Sequence, residues 1–188
     1  MKEIPMLFNT AMVRAILEDR KTQTRRLTRE IFVRENPIAK GYFENEGGQP
    51  VKAPARVGDL IYVREAWCPI GQFPGEPPMY WYKADYPNWP DEEPDGWLGP
   101  SEVGNEPDRW RPSFHMPKAA ARIWLEVTGV RAEPLQHITV RDAAAEGCGT
   151  MRDFPRVWDA CYGKTPYSWK SNPFVCVVEF KRAVRHGA

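Results

Sequence analysis

Metal-ligand spacing is missing from this sequence. Its four cysteines, Cys68, Cys148, Cys161 and Cys176, include no C-x-x-C pair, and only His115, His137 and His186 could join them as soft ligands. That argues against a zinc site and against a disulfide framework, so no metal and no organic cofactor is expected. Long apolar runs are missing too. Met1 to Phe8 is apolar only briefly before the chain turns polar, so neither a signal peptide nor a membrane span is predicted, and the cytoplasm is the expected compartment. An excess of one charge is also absent. The 26 basic and 25 acidic residues leave a formal net charge of +1, without the global field that drives non-specific nucleic-acid binding. There is no internal repeat, low-complexity tract or heptad run, and 188 residues suit a single domain with one core.

What is present is punctuation around short apolar segments. Ile4 to Phe8 reads as a buried strand, and Thr10 as the cap of a helix from Ala11 to about Asp19, with Met12, Ala15 and Ile16 on one face. Val57-Gly58-Asp59-Leu60-Ile61-Tyr62-Val63-Arg64 reads as a turn leading into a strand. Cys68 to Pro112 differs in kind, crowded with proline, glycine, tryptophan and tyrosine, as in Pro77-Pro78-Met79-Tyr80-Trp81-Tyr82. Aromatics at that density pack, so the segment reads as an ordered insertion at about 68–112 with one short strand near Met79 to Lys83, placed to act as a lid. Ala121 to Arg131 and Phe174 to Phe180 read as core strands. Between them lie helix candidates at Thr139 to Glu146 and from Met151 or Asp153 to about Tyr162, giving an α+β, barrel-like fold.

Two places resist a purely structural account. Arg20-Lys21-Thr22-Gln23-Thr24-Arg25-Arg26 packs an amine, two hydroxyls and further cations at the exit of the first helix. Lys21 and Thr24 stand three apart, so one helical turn would set the amine beside the hydroxyl as a base and nucleophile. Cations at a helix exit are also what the helix dipole favours. The second place is Glu146. Thr139 and Asp142 look like the capped start of a helix and Gly147 like its terminator, which leaves Glu146 in the last turn. A carboxylate there opposes the dipole by about 0.3–1 kcal/mol, and a nearby lysine would compensate.

Lys21-Thr22-Gln23-Thr24-Arg25 after a strand and helix, Val57-Gly58-Asp59-Leu60-Ile61-Tyr62-Val63, and a helix ending Asp142-Ala143-Ala144-Ala145-Glu146-Gly147 together resemble the ASCH family. Within it the chain is most similar to phage and bacterial members, through Trp110 to Pro117 and the Ala121 to Leu135 run. The resemblance implies a PUA-like β-barrel. It also implies an amidohydrolase of the kind that removes the acetyl group from N4-acetylcytidine with a lysine, a threonine and a glutamate. Carried over by motif, Thr24 is the nucleophile, Lys21 the general base, and Glu146 the proton donor or the partner that orients the lysine. The aromatic insertion has no counterpart in those compact enzymes.

A pyrimidine is held by an aromatic face and read along its polar edge. Phe8 and Trp67 are the aromatic candidates, and Arg25, Arg64 and Glu65 the polar ones; an ordinary core aromatic is the commoner fate of either ring. The expected partner is a small nucleoside or nucleobase. Three other readings stay open. The Arg20 to Arg29 run could contact RNA phosphates in a PUA-like binding module, the same lysine and glutamate could serve RNA cleavage, or the chain could be a phage accessory protein without catalysis.

Overall fold

A computed structural model describes residues 1–27, 42–44, 50–71, 77–86 and 110–184. In chain order the regular elements are β1 (Glu3–Leu7), α1 (Thr10–Leu17), β2 (Gln23–Leu27), β3 (Tyr42–Glu44), β4 (Pro50–Lys52), β5 (Leu60–Arg64), β6 (Trp67–Gly71), β7 (Met79–Tyr82), β8 (Trp124–Pro134), α2 (Val140–Ala145), α3 (Phe154–Tyr162) and β9 (Phe174–Ala183). Five strands form one sheet in the order β1-β5-β8-β9-β2, while β3–β4 and β6–β7 form two-stranded sheets. The class is α+β, as the sequence implies, but no closed barrel forms among the described residues. Closure would require β2 to find a further strand. Its free side is instead taken up at the start by the end of α2, where Thr22 N donates to Ala145 O at 2.8 Å and Lys21 forms an isolated bridge with Glu146.

The chain divides into two compact units, one of Met1–Ile4, Ala15–Ile61 and Trp124–Ala188, the other of Pro5–Arg14 and Tyr62–Ile123. In the first, β9 is buried without interruption from Val175 to Val178, the pattern of a strand covered on both faces. Its core joins Val175 and Val177 to Leu135, Ala143, Phe154 and Trp158, so α2 and α3 pack over the end of β8 and the start of β9. In the second unit Trp67, Met116 and Ala120 form the core, with Tyr80 and Tyr82 packed against it. The expected strand near Met79 lies here as β7, paired with β6. Within the segment expected as an insertion, 72–76 and 87–109 lie outside the described residues.

Local details adjust the sequence reading. Asn9, not Thr10, caps α1, its Oδ1 accepting from Met12 N at 2.9 Å, and Val13 rather than Met12 is fully buried with Ala15 and Ile16. Both long strands run further than their apolar patterns suggest, β8 to Pro134 and β9 to Ala183, because each supplies the other's hydrogen bonds over that length. Among the described residues no helix is long and apolar enough to cross a membrane.

Candidate active site

The segment after α1 is stapled at two ends. Arg20 N and Lys21 N both donate to Ala15 O, at 2.8 and 2.9 Å, closing the helix, and Thr22 N then reaches the last turn of α2. That turn is shaped by a capping box between Thr139 and Asp142 at its start and by Gly147 at its end. Gly147 has φ +81°, and a Cβ there would stand 2.7 Å from the Ala15 Cβ and 3.2 Å from the Lys21 Cβ. Only glycine lets the backbone turn and approach this closely.

The approach delivers Lys21 to the carboxyl end of α2. Its side chain is wholly buried, and Nζ donates to Glu146 Oε2 at 2.7 Å and to the Glu146 carbonyl at 2.9 Å. The carboxylate that opposes the helix dipole thus has its lysine, and the same amine satisfies a terminal carbonyl. Glu146 Oε1 accepts from Arg25 Nη1 at 3.1 Å, so each carboxylate oxygen faces a different cation. Arg25 is itself buried, with Nη2 on Glu133 Oε1 at 2.6 Å and Asp142 Oδ2 at 3.5 Å. Arg131 extends the network to Asp142 at 2.8 Å, Glu133 at 3.0 Å and Glu179. Partial burial pulls the Asp142 carboxyl upward, but hydrogen bonds from the Thr139 hydroxyl and N–H and the Arg25 charge outweigh it, holding the group at about 2.

The single helical turn expected to join Lys21 to Thr24 does not form. Residues 23–27 are strand β2, held by β9 with Thr24 opposite Val178, and tertiary pairing overrides the local helical option. The pleat sends Gln23 and Arg25 toward α2, where Gln23 Nε2 donates to Asp142 O at 3.1 Å, and turns Thr24 to the other face. Thr24 is buried there at 1% exposure. The structure therefore gathers Lys21, Arg25 and Glu146 into hydrogen-bonding contact, with Thr24 on the same strand but the opposite face.

The remaining candidates lie in the second unit, where Arg64, Glu65 and Trp67 each meet Met116. Phe8 is buried and its N–H donates to Arg64 O at 3.0 Å. Arg64 donates through Nε to Met116 O at 2.8 Å and through Nη2 to Phe114 O. Glu65 is buried, and Arg122 grips both its oxygens, at 2.9 and 3.1 Å; burial nevertheless pushes its carboxyl up. Trp67 packs in the core with the Arg111 guanidinium 5.4 Å above its ring, and its indole N–H, also buried, meets no acceptor among the described residues.

Sequence reasoning missed Glu133, Arg131 and Glu179. Arg131 and Glu133 are two apart on one strand, so they share a face, and two charges on a face that continues into a core were the available signal. Beside the network lies an open cleft of about 440 Å³ bordered by α2, β8 and β9, with Thr22, Thr128, Arg131, Arg141, Asp142 and Glu179 on its walls. Among the described residues no three His, Cys, Asp or Glu side chains gather as a metal ion requires. No family model, curated protein or solved structure matches this chain.

Proposed function

We propose that the chain is a hydrolase of the ASCH type, on a PUA-like fold, that removes the acyl group from N4-acylated cytosine derivatives. One observation carries the reading: an amine and a carboxylate, Lys21 and Glu146, held 2.7 Å apart out of solvent at the head of the strand that bears Thr24. A hydroxyl, an amine that can exchange its proton and a carboxylate that orients the amine are the groups that cleavage of an unactivated amide requires.

In this reading the Thr24 hydroxyl oxygen attacks the acyl carbonyl while its proton passes to Lys21. The pleat separates the two side chains, so the transfer requires a group that links them, such as a water admitted with the substrate. The lysinium stabilises the oxyanion and then gives its proton to the departing cytosine amine, and water hydrolyses the threonyl ester to free acid. Both Glu146 oxygens already accept hydrogen bonds, so its role is to orient Lys21 rather than to donate a proton. An RNA-phosphate surface along Arg20 to Arg29 draws less support, because the Lys21 and Arg25 side chains are 0% and 1% exposed and spent on carboxylates.

The test is the ultraviolet spectrum of N4-acetylcytidine incubated with purified protein in chelator. Wild type is expected to convert it to cytidine, with Lys21→Ala and Thr24→Ala slower by about 10³-fold. No conversion by wild type overturns the reading. Full activity in Thr24→Ala removes the nucleophile and leaves the substrate.

A further inference from the structure

The cleft bordered by α2, β8 and β9 is balanced in charge. Its walls carry two arginines, Arg131 and Arg141, and two carboxylates, Asp142 and Glu179. Arg131 is committed to Glu133, Asp142 and Glu179, and Asp142 to Arg131 and Thr139. Such walls hold no surplus positive charge to draw in a string of phosphates.

Glu179 is the exception within this balance. Its side chain is 47% exposed, and Arg131 takes only Oε1. Oε2 lies directly over Gly129, where a Cβ would stand 2.5 Å away, and no donor among the described residues reaches it. Gly129 thus clears the space in which the carboxylate rests, Arg131 holds one of its oxygens, and the other is left to accept from whatever enters. The exposed hydroxyls of Thr22 and Thr128 flank the same cleft. An anchored carboxylate with a spare oxygen beside neutral hydroxyls suits an uncharged polyol, and carboxylate-to-hydroxyl bonds are how ribose is read elsewhere. The volume of about 440 Å³ accommodates a ligand of nucleoside size.

We infer that this cleft is a sugar subsite that holds a vicinal diol, with Glu179 Oε2 accepting from the ribose hydroxyls. The identity of the attached base rests on the amidohydrolase reading; the diol chemistry does not. Glu179 becomes a residue that determines specificity, with no part in the bond-breaking step.

The experiment compares N4-acetylcytidine with N4-acetyl-2′,3′-dideoxycytidine in wild type, Glu179→Ala and Gly129→Ala, the last chosen because its methyl displaces the carboxylate without removing it. Wild type is expected to favour the diol in kcat/KM by about tenfold. Both variants are expected to bring the ratio to within about twofold, while a purely structural role for Glu179 would slow both substrates equally and leave the ratio unchanged. An unchanged ratio in folded variants, or no preference in wild type, overturns the subsite while leaving hydrolysis intact. If neither substrate is cleaved, titration of cytidine and 2′,3′-dideoxycytidine followed by NMR decides. Tighter binding of cytidine that is lost in Glu179→Ala upholds the subsite and sinks the amidohydrolase, and equal binding of the two sinks the subsite as well.

Discussion

Each of the two units buries a glutamate, and the contrast between Glu146 and Glu65 separates a carboxylate shared by two cations from one held by a single guanidinium. Glu65 is satisfied by a single guanidinium in a two-pronged grip, and Arg122 is in turn held by Asp85 and lies 4.0 Å over the Tyr82 ring. That is a closed arrangement: a delocalised cation in a fixed plane, with no proton to trade. Glu146 shares its two oxygens between Arg25 and Lys21. The arginine supplies a fixed fork and the lysine a compact charge on a flexible stem, so the same carboxylate meets two different kinds of cation.

The sharing itself has an energetic signature, and removing one cation from each glutamate in turn gives the largest expected effects. Arg122→Met leaves Glu65 buried with its only ion-pair partner among the described residues gone, which should cost about 3–5 kcal/mol. Lys21→Met leaves Glu146 still bonded to Arg25, so the loss should be nearer about 1–3 kcal/mol. Urea unfolding followed by fluorescence measures both. Equal losses would mean that Arg25 does not hold Glu146 in Lys21's absence, and the contrast would collapse.

The next effect is at Gly147, which sharpens the contrast by testing how Lys21 is delivered. Alanine there meets both a positive φ and a Cβ 2.7 Å from Ala15, a combined cost of about 2 kcal/mol in the same assay. Gly149, where a Cβ would meet nothing closer than 3.7 Å, serves as the control and should change stability by less than about 1 kcal/mol. Similar losses at both would remove the close approach as the reason for glycine.

How much of this was legible before the structure depends on whether a residue's neighbours are local. The Thr139–Asp142 box and the Gly147 stop are written in a few consecutive residues, and the misfit of Glu146 with its helix dipole pointed to a lysine, which Lys21 supplies. Residues 23–27 were not legible, since their strand state is imposed by β9, some 150 residues away. For the same reason Arg25 looked available to a ligand, although Glu133 and Glu146, both over 100 residues distant, consume it. Closure of the sheet was likewise beyond local reading, because it depends on which element meets the edge of β2.

The smallest effect is in acid, and here the two units should respond with opposite signs. Asp142, in the Arg25 network, is held at about 2 against an ordinary value of 3.8, so its contribution to stability is fully present above about pH 4 and is lost as pH falls toward 2. Burial raises Glu65 above its ordinary 4.5, so the folded chain takes up this proton before the unfolded chain does. Its contribution therefore favours folding as pH drops from neutral toward that value. Asp142→Asn should flatten the stability profile between pH 4 and 2, whereas Glu65→Gln should flatten it at and above pH 4.5. Thermal unfolding of both variants against wild type from pH 2 to 7 reads the two slopes. Slopes of the same sign would show that the two carboxylates sit in equivalent environments, and that the division between a shared and a sole cation does not govern their chemistry.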